Sequence, residues 1–335
     1  MRVGTLCFAT ERGLGYLAKS FYDNGVVTDF AVLYHGQLDT HPEWYPNCIE
    51  ITKRPFLNDE LKRFILNMDI MLFFETPFDW DIIHYCREHN VRTIILSMYE
   101  CTPRSIPADP DMWWCPSLLD MEYFGDNKSL VQIPVDGVTW KERNVAKTFI
   151  HNAGYIGLKG RNGTLELLQA MQYVQSDIEL KVRCQTEDVH KILRKVPNVI
   201  SDERVDIFIG TLPREDVWGT GDVAVQPEKW NGMSLPLQES YASGLLVMTT
   251  ERFPMTDWLP NEPMIPVQSF RKNRVANRCM EFDEAMLDPV DIADTIDHWY
   301  GRDITNYSTQ GKDWAEENTW EIIKPDYTKL LEELL

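Results

Sequence analysis

Short apolar runs that alternate with amphipathic stretches constrain the fold of this chain more than any other feature of its sequence. In the first half, the apolar runs lie at residues 3–9, 29–34, 70–74, 93–96, 112–115 and 130–133. Helix-like stretches separate several of them, at residues 14–23, 59–66, 80–88 and 118–124. Buried runs of strand length that alternate with helical patterns are typical of βαβ units, which build a parallel sheet.

The second half repeats the alternation. Its strand-like runs lie at residues 149–153, 178–183, 206–209, 222–226, 245–249 and 264–267, with helical stretches such as 164–173 and 187–195 between them. From residue 289 the pattern is helical, with predicted breaks at 301–308 and at Pro325. Residues 134–147 are polar without a clear period, which indicates a linker. We therefore predict an α/β protein with two Rossmann-like, doubly wound domains, at residues 1–140 and 141–335.

Composition excludes several classes of protein. The chain of 335 residues is 44% hydrophobic, and no apolar run reaches the roughly 18–20 residues that span a membrane. Its 33 lysines and arginines against 52 aspartates and glutamates give a net charge of −19, which disfavours nucleic acid and anionic lipid as partners. The seven cysteines are odd in number and lack a C-x-x-C pair. They predict reduced thiols and a cytoplasmic protein.

Residues 227–244 hold most of the functional information. Their sequence, PEKWNGMSLPLQESYASG, follows an apolar strand and predicts a loop, a helix that begins near Ser234, and a carboxylate, Glu239, about a turn and a half into that helix. A helix start presents free N–H groups and a partial positive charge to an anion. A carboxylate accepts hydrogen bonds from a pair of sugar hydroxyls. Together these features fit a nucleotide diphosphate sugar, although an ordinary strand–loop–helix unit would read the same way.

The segment also resembles the signature of family 4 of the retaining glycosyltransferases. Seven residues fall in register with that signature: Pro227, Gly232, Leu235, Pro236, Glu239, Ala242 and Gly244. The resemblance implies a GT-B fold, with two domains facing a cleft and a last helix, at about 312–335, packing back on the first domain. It also implies that Glu239 binds the donor ribose.

The match departs from the family pattern at two loop positions. Asn231 stands where the family has a Glu that contacts the transferred sugar, and Ser234 replaces a second loop glycine. Glu228 lies three residues too early to be a simple substitute for that Glu. The resemblance implies that the donor is held by Asn231, Gly232, Met233, Ser234 and Leu235, with Trp230 flanking the loop.

A second glycine-rich loop, at residues 152–164, follows the first predicted strand of the second domain. It carries two cations, Lys159 and Arg161. Amides and positive charges would stabilise the charge that develops on a leaving diphosphate. The loop resembles the family's Gly-Arg-Leu-x-x-x-Lys-Gly, with Tyr155 at the position of the family's Arg, so we assign that role to Arg161 with Lys159 nearby. The alternative is a solvated turn.

The first domain offers weaker candidates. Gly13 and Gly15 follow its first strand in an incomplete glycine motif, and the resemblance implies that they line the donor site. Glu100 follows another strand near the position where the family often has a catalytic-site His or Asp. His151 ends a buried strand and is interpreted as structural. The pair Asp109 and Asp111 has a metal-binding spacing but no matching context, so we predict no metal site.

These observations predict a metal-independent, cytoplasmic, retaining glycosyltransferase with Arg161, Lys159 and Glu100 as catalytic residues. It would use a nucleotide diphosphate sugar as donor and need no further cofactor. The acceptor would be a glycan, a cell-envelope component or a modified nucleobase. Two alternatives remain: a GT-B sugar-nucleotide epimerase, and a protein that binds nucleotide sugar or glycan without turnover, which Asn231 favours.

Overall fold

A computed structural model describes residues 1–34, 39–155, 160–260 and 262–335. The chain divides into two compact units. Unit 1 contains Met1–Pro134, Ala276–Met280 and Trp320–Leu335, and unit 2 contains Val135–Val275 and Glu281–Thr319. The boundary between the units after Pro134 lies six residues before the predicted domain boundary. The chain re-enters unit 1 at Ala276 and at Trp320, and the composition of the sequence does not indicate either position.

Unit 1 is built on a seven-stranded parallel sheet with the order β3-β2-β1-β4-β5-β6-β7. Its strands are β1 (Val3–Cys7), β2 (Asp29–Leu33), β3 (Ile49–Ile51), β4 (Ile70–Glu75), β5 (Arg92–Ser97), β6 (Met112–Cys115) and β7 (Lys128–Leu130). Its helices are α1 (Gly13–Asp23), α2 (Asp59–Ile65), α3 (Asp81–Glu88), α4 (Leu118–Tyr123) and α11 (Trp320–Leu334). Five predicted strands and four predicted helices are confirmed within one or two residues, and the last predicted strand, at 130–133, lies earlier as β7.

Unit 2 has a six-stranded parallel sheet with the order β10-β9-β8-β11-β12-β13. These strands are β8 (Thr148–Gly154), β9 (Glu179–Cys184), β10 (Val205–Ile209), β11 (Val223–Gln226), β12 (Leu246–Thr250) and β13 (Met264–Ile265). The helices are α5 (Thr164–Ala170), α6 (Val189–Leu193), α7 (Leu235–Ala242), α8 (Met255–Trp258), α9 (Pro289–Trp299) and α10 (Thr305–Glu317). An antiparallel hairpin of β14 (Ser269–Asn273) and β15 (Phe282–Met286) was not predicted.

The predicted helix break at Pro325 is wrong. Pro325 lies inside α11, where a proline removes one backbone hydrogen bond and costs about 3 kcal/mol. The helix continues because Trp320, Ile323, Tyr327 and Leu331 bury one of its faces in unit 1. The Trp320 indole N–H donates to Ser20 Oγ at 2.7 Å, so the buried face is also held by a polar contact. The predicted helix at 312–335 is therefore two helices, of which only α11 belongs to unit 1.

Each parallel sheet reverses its strand order once. The reversal lies between β1 and β4 in unit 1 and between β8 and β11 in unit 2. Loops that leave the carboxyl ends of strands on either side of such a reversal diverge and leave a crevice, where open α/β sheets bind ligands. In unit 2 these loops are the two that the sequence singled out. Within the described part of the chain, no helix combines the length and apolar content that crossing a bilayer requires.

Candidate functional site

The glycine-rich loop after β8 and the loop after β11 are in direct contact. The Lys229 N–H donates to the Arg161 carbonyl at 2.6 Å. Gly163 has a φ of +66°, and a Cβ there would lie 2.2 Å from the Pro227 carbonyl oxygen. Only glycine combines that conformation with so close an approach. The structure thus brings the two predicted loops together at the reversal of strand order in unit 2, while Lys159 lies outside the described residues.

Helix α7 begins at this contact. Ser234 is its N-cap, as predicted, and its Oγ accepts a hydrogen bond from Leu237 N at 3.4 Å. Pro236 in the first turn has the fixed φ that a helix start favours. Gly244, with a φ of +84°, follows the helix where a Cβ would lie 2.6 Å from the Lys141 carbonyl oxygen. The sequence therefore determines both ends of α7.

Glu239 is anchored within unit 2. Its Oε1 accepts hydrogen bonds from the Arg214 guanidinium at 2.9 and 3.1 Å, and its Oε2 accepts one from the Trp218 indole at 3.3 Å. Arg214 also donates to Asp136 at 2.7 Å. Burial lowers the pKa of Arg214, but the charges of Glu239 and Asp136 outweigh it and raise that pKa overall. A carboxylate has about four acceptor positions, and Arg214 and Trp218 occupy three of them, so Glu239 Oε2 retains one position for a hydroxyl donor.

Asn231 contacts Glu228. On sequence spacing, Glu228 is rejected as a substitute for the family's Glu because it lies three residues too early. The Asn231 Nδ2 donates to Glu228 Oε2 at 3.0 Å, and Ser234 Oγ donates to Glu228 Oε1 at 2.6 Å. Glu228 is buried, and burial raises its pKa, while Ser234 and the Arg161 charge act in the opposite direction. Arg252 donates to the Asn231 carbonyl at 3.0 Å. A buried carboxylate between cations therefore organises this loop.

Lys229 fastens the same loop to the rest of unit 2. Its ammonium lies 2.9 Å from a Glu166 carboxylate oxygen and 3.1 Å from one of Glu284, which is on β15. Burial lowers the pKa of Lys229, but the two carboxylates outweigh that effect and raise it overall. The Ala285 N–H donates to the Lys229 carbonyl at 2.8 Å, so the unpredicted hairpin supports the loop through both side chain and backbone.

Trp230 has a packing role in this structure. Its side chain is fully buried, and its ring stacks on Phe282 of β15 with centroids 5.0 Å apart. The sequence pattern did not indicate the hairpin that packs against Trp230. A contribution of Trp230 to donor binding stays a prediction.

His151 is enclosed at the carboxyl end of β8. Its Nδ1 lies 2.7 Å from the Val225 carbonyl and its Nε2 lies 2.8 Å from Thr164 Oγ1. A carbonyl only accepts, so Nδ1 carries the proton and Nε2 accepts from the hydroxyl. Burial lowers the pKa of His151 to about 4, which keeps the ring neutral. This geometry fits the structural role that the sequence indicated.

The carboxyl edge of the unit 1 sheet holds the other predicted residues. Gly13 begins α1, and Gly15 lies so close to the loop before it that a Cβ would be 2.1 Å from the Thr10 carbonyl oxygen. Glu100 follows β5 and is completely buried, so it presents no carboxylate surface in this structure. Beside it, Asp120 has a pKa raised to about 7 by burial and by the Glu100 charge.

Asp111 is at the opposite end of the unit 1 sheet. Its carboxylate lies 3.1 Å from the Arg92 guanidinium and accepts from Thr93 N at 2.8 Å, near the amino ends of β5 and β6. Asp109 contributes its carbonyl to Arg87 at 2.7 Å. These contacts give both residues structural partners. Across the described ranges, no group of three or more His, Cys, Asp or Glu side chains is arranged to hold a metal ion.

Sequence reasoning missed three residues of the unit 2 site: Arg214, Arg252 and Glu228. Arg214 and Arg252 lie in loops without glycine motifs, where a lone arginine gives no signal. Glu228 was rejected as a substitute for the family's Glu because it lies three residues too early in the sequence. An alignment of sequence positions does not show that its side chain folds back onto Asn231.

The fold has counterparts of known structure. No protein-family model and no curated protein sequence matches the chain. HepE from Anabaena, in complex with UDP, matches with a TM-score of 0.72 and 9% identity over 99% of this chain and 100% of that one. The lipopolysaccharide outer core galactosyltransferase WaaB matches with a TM-score of 0.64 and 11% identity over 100% of both chains.

Sucrose-phosphate synthase from Thermosynechococcus elongatus matches with a TM-score of 0.68 and 12% identity, over 100% of this chain and 99% of that one. At such identities the similarity establishes the fold and nothing finer. Together with the two parallel sheets, it shows that the chain has the Rossmann-like units of the GT-B fold, as the sequence predicted.

Proposed function

We propose that this protein is a glycosyltransferase that transfers a sugar from a nucleotide diphosphate sugar to a hydroxyl acceptor. The observation that carries the proposal is the contact between the loop after β8, which holds Arg161, and residues 227–234 before α7, which we call the donor loop. The Arg161 charge acts on the buried Glu228 carboxylate of the donor loop. HepE, which has the same fold, was solved with UDP and with UDP-glucose, and WaaB is a galactosyltransferase. We propose that this chain uses the same class of donor, a nucleotide diphosphate sugar.

The proposed mechanism assigns one task to each part of the site. Glu239 accepts a hydrogen bond from the donor ribose, and backbone N–H groups of the loop that leads into α7 bind the diphosphate together with Arg161. As the bond between the sugar carbon and the phosphate oxygen breaks, its electron pair moves to that oxygen. The acceptor hydroxyl oxygen forms the new bond to the sugar carbon, and its proton passes to the departing phosphate oxygen. A fixed guanidinium favours this step because it interacts more strongly with the developing charge than with the intact donor. Retention of configuration is part of the proposal through the family resemblance alone.

Glu239→Gln should weaken nucleotide binding by about 1–3 kcal/mol, because an amide replaces a charged acceptor of the ribose hydroxyls. Gln is preferable to Ala here, since its side-chain oxygen can still accept from the partly buried Arg214 guanidinium. Calorimetric titration with UDP measures the change. Glu215→Gln is a matched control, because Glu215 is an exposed carboxylate in the same region. Equal UDP affinity in wild type and Glu239→Gln would remove Glu239 from the ribose site.

Activity should survive excess EDTA, because the diphosphate partners in the proposal are a guanidinium and backbone amides. Donor turnover is measured with and without chelator, and then after addition of Mg²⁺ or Mn²⁺. We expect equal rates in all conditions. Loss of activity that added metal restores would contradict this assignment and require carboxylates at the diphosphate.

A panel of nucleotide sugars tests the function itself. UDP-, GDP- and ADP-sugars are incubated with the protein and with candidate acceptors, and both nucleotide and sugar products are identified. Release of nucleoside diphosphate with a glycosylated acceptor is the expected result. An isomerised donor would instead indicate the epimerase alternative, and binding without turnover would indicate the non-catalytic one.

A further inference from the structure

Buried polar atoms without hydrogen bonds lie in and beside the loop between β11 and α7. In the part of unit 2 that the structure describes, they include Gln226 Nε2 and Oε1 in β11, Trp230 Nε1 and Asn231 Oδ1 in the loop, and Gln238 Oε1 in α7. Folded proteins pair nearly all such groups, so each exception needs an explanation. These atoms lie between the carboxyl end of β11 and the second turn of α7, which is where ligands bind in this kind of sheet.

Glu228 determines how Asn231 is oriented. Its carboxylate accepts, so the amide must turn its Nδ2 toward Glu228, and that contact is 3.0 Å. The Asn231 Oδ1 then points away from Glu228 and stays unbonded. The second carboxylate oxygen of Glu228 is held by Ser234, and Arg252 holds the Asn231 carbonyl. The amide is therefore fixed at both its side chain and its backbone.

The free Asn231 Oδ1 is an acceptor and requires a donor. A second cation is disfavoured there, because the Arg252 guanidinium already lies 3.0 Å from the Asn231 carbonyl oxygen. A neutral hydroxyl satisfies an amide oxygen without adding charge. A sugar attached to a diphosphate at the start of α7 carries several such hydroxyls.

We propose that Glu228 is a positioning residue that fixes the Asn231 amide so that Oδ1 accepts a hydrogen bond from a hydroxyl of the donor sugar. This role rests on the proposed function. Glu228 should therefore affect binding of the sugar part of the donor and not binding of the nucleotide part. Glu228 does not itself touch the sugar.

The test compares each nucleoside diphosphate with its sugar conjugate. Calorimetric titrations with UDP and UDP-glucose, and with GDP and GDP-mannose, give the affinity that the sugar adds. Glu228→Gln should reduce that added affinity at least tenfold, because a Gln side chain can donate as well as accept and so no longer fixes which way the Asn231 amide turns. Its affinity for the bare nucleotide should stay within about twofold of wild type. A purely structural role for Glu228 would weaken the nucleotide and the conjugate alike.

Two further variants keep the test decisive. Asn231→Ala should lose the same added affinity, and Glu228→Gln with Asn231→Ala should lose no more than Asn231→Ala alone, since the two residues act as one. If Glu228→Gln does not fold, the affinity that the sugar adds is compared between wild type and Asn231→Ala alone. Glu166→Gln is the matched control, because it removes a partly buried carboxylate that contacts Lys229 and leaves Asn231 untouched.

The outcomes separate this inference from the proposed function. If wild type binds none of these nucleotides or conjugates, the proposed function fails. If wild type binds a conjugate more tightly than its nucleotide and Asn231→Ala retains that difference, only the role of Asn231 and Glu228 is overturned. Equal affinity of wild type for a nucleotide and for its sugar conjugate would also overturn the role of Asn231 and Glu228.

Discussion

Arg161→Ala should lower donor turnover by about 10²-fold or more, measured at saturating UDP-sugar as release of UDP. The expectation follows from the position of Arg161 in the loop that contacts the donor loop. A preorganised cation stabilises charge that exists only in the transition state, so its loss reduces the rate more than the affinity. Arg161→Lys should recover part of the activity, because it keeps the charge and loses the planar guanidinium.

Arg194→Ala is the control for this experiment. Arg194 is an exposed arginine elsewhere in unit 2, so its removal changes the net charge equally without touching the loop contact. A variant at Arg161 that binds the donor more weakly but turns it over at the wild-type rate would show that this residue only binds the diphosphate.

The stability of unit 1 should fall as the pH rises from about 4 to 7, by an amount of the order of 4 kcal/mol from Asp120 alone. Its folded pKa is about 7, raised from 3.8 first by burial and then by Glu100. Below pH 4 the side chain is protonated in both states, and the stabilisation is fully present. Between these pH values the unfolded chain loses its proton first, so unfolding becomes more favourable.

Asp120→Asn isolates this contribution. Asn cannot ionise but can still accept the bond that Tyr99 N donates to Asp120 at 3.0 Å. Melting temperatures of both proteins between pH 4.5 and 8 should show wild type losing stability relative to the variant as the pH rises. Asp126→Asn, at an exposed position, should follow wild type. A constant difference between wild type and Asp120→Asn would mean that Asp120 does not titrate in this range.

The sequence predicted the parallel sheets well because their strands are buried on both faces. Runs such as 70–74 and 112–115 are continuously apolar and lie within one residue of β4 and β6. Strand β3 has three residues, of which Glu50 is exposed, so it leaves no run to detect. Strand β14 is exposed along most of its length, and its Arg271 and Lys272 form ion pairs with acidic residues of β15. Such a polar sequence is typical of a loop, so the pattern did not indicate a strand.

The site was predictable where backbone geometry constrains residue type. Gly163 and Gly244 occupy left-handed conformations beside neighbouring backbone, and Ser234 caps a helix, so all three leave a signature. The Arg214–Glu239 pair joins side chains from separate parts of unit 2, and the Glu228–Asn231 contact depends on how one loop folds back on itself. Residue type and spacing in the sequence specify neither contact.

The most direct test of the central claim is a crystal structure of the protein with UDP or with a UDP-sugar that it binds. We expect the diphosphate in the crevice between the loops after β8 and β11, with a phosphate oxygen within hydrogen-bond distance of the Arg161 guanidinium and of N–H groups at the start of α7, and with the ribose at Glu239. A nucleotide bound elsewhere on the protein, or a diphosphate held through a metal ion by carboxylates, would contradict the account.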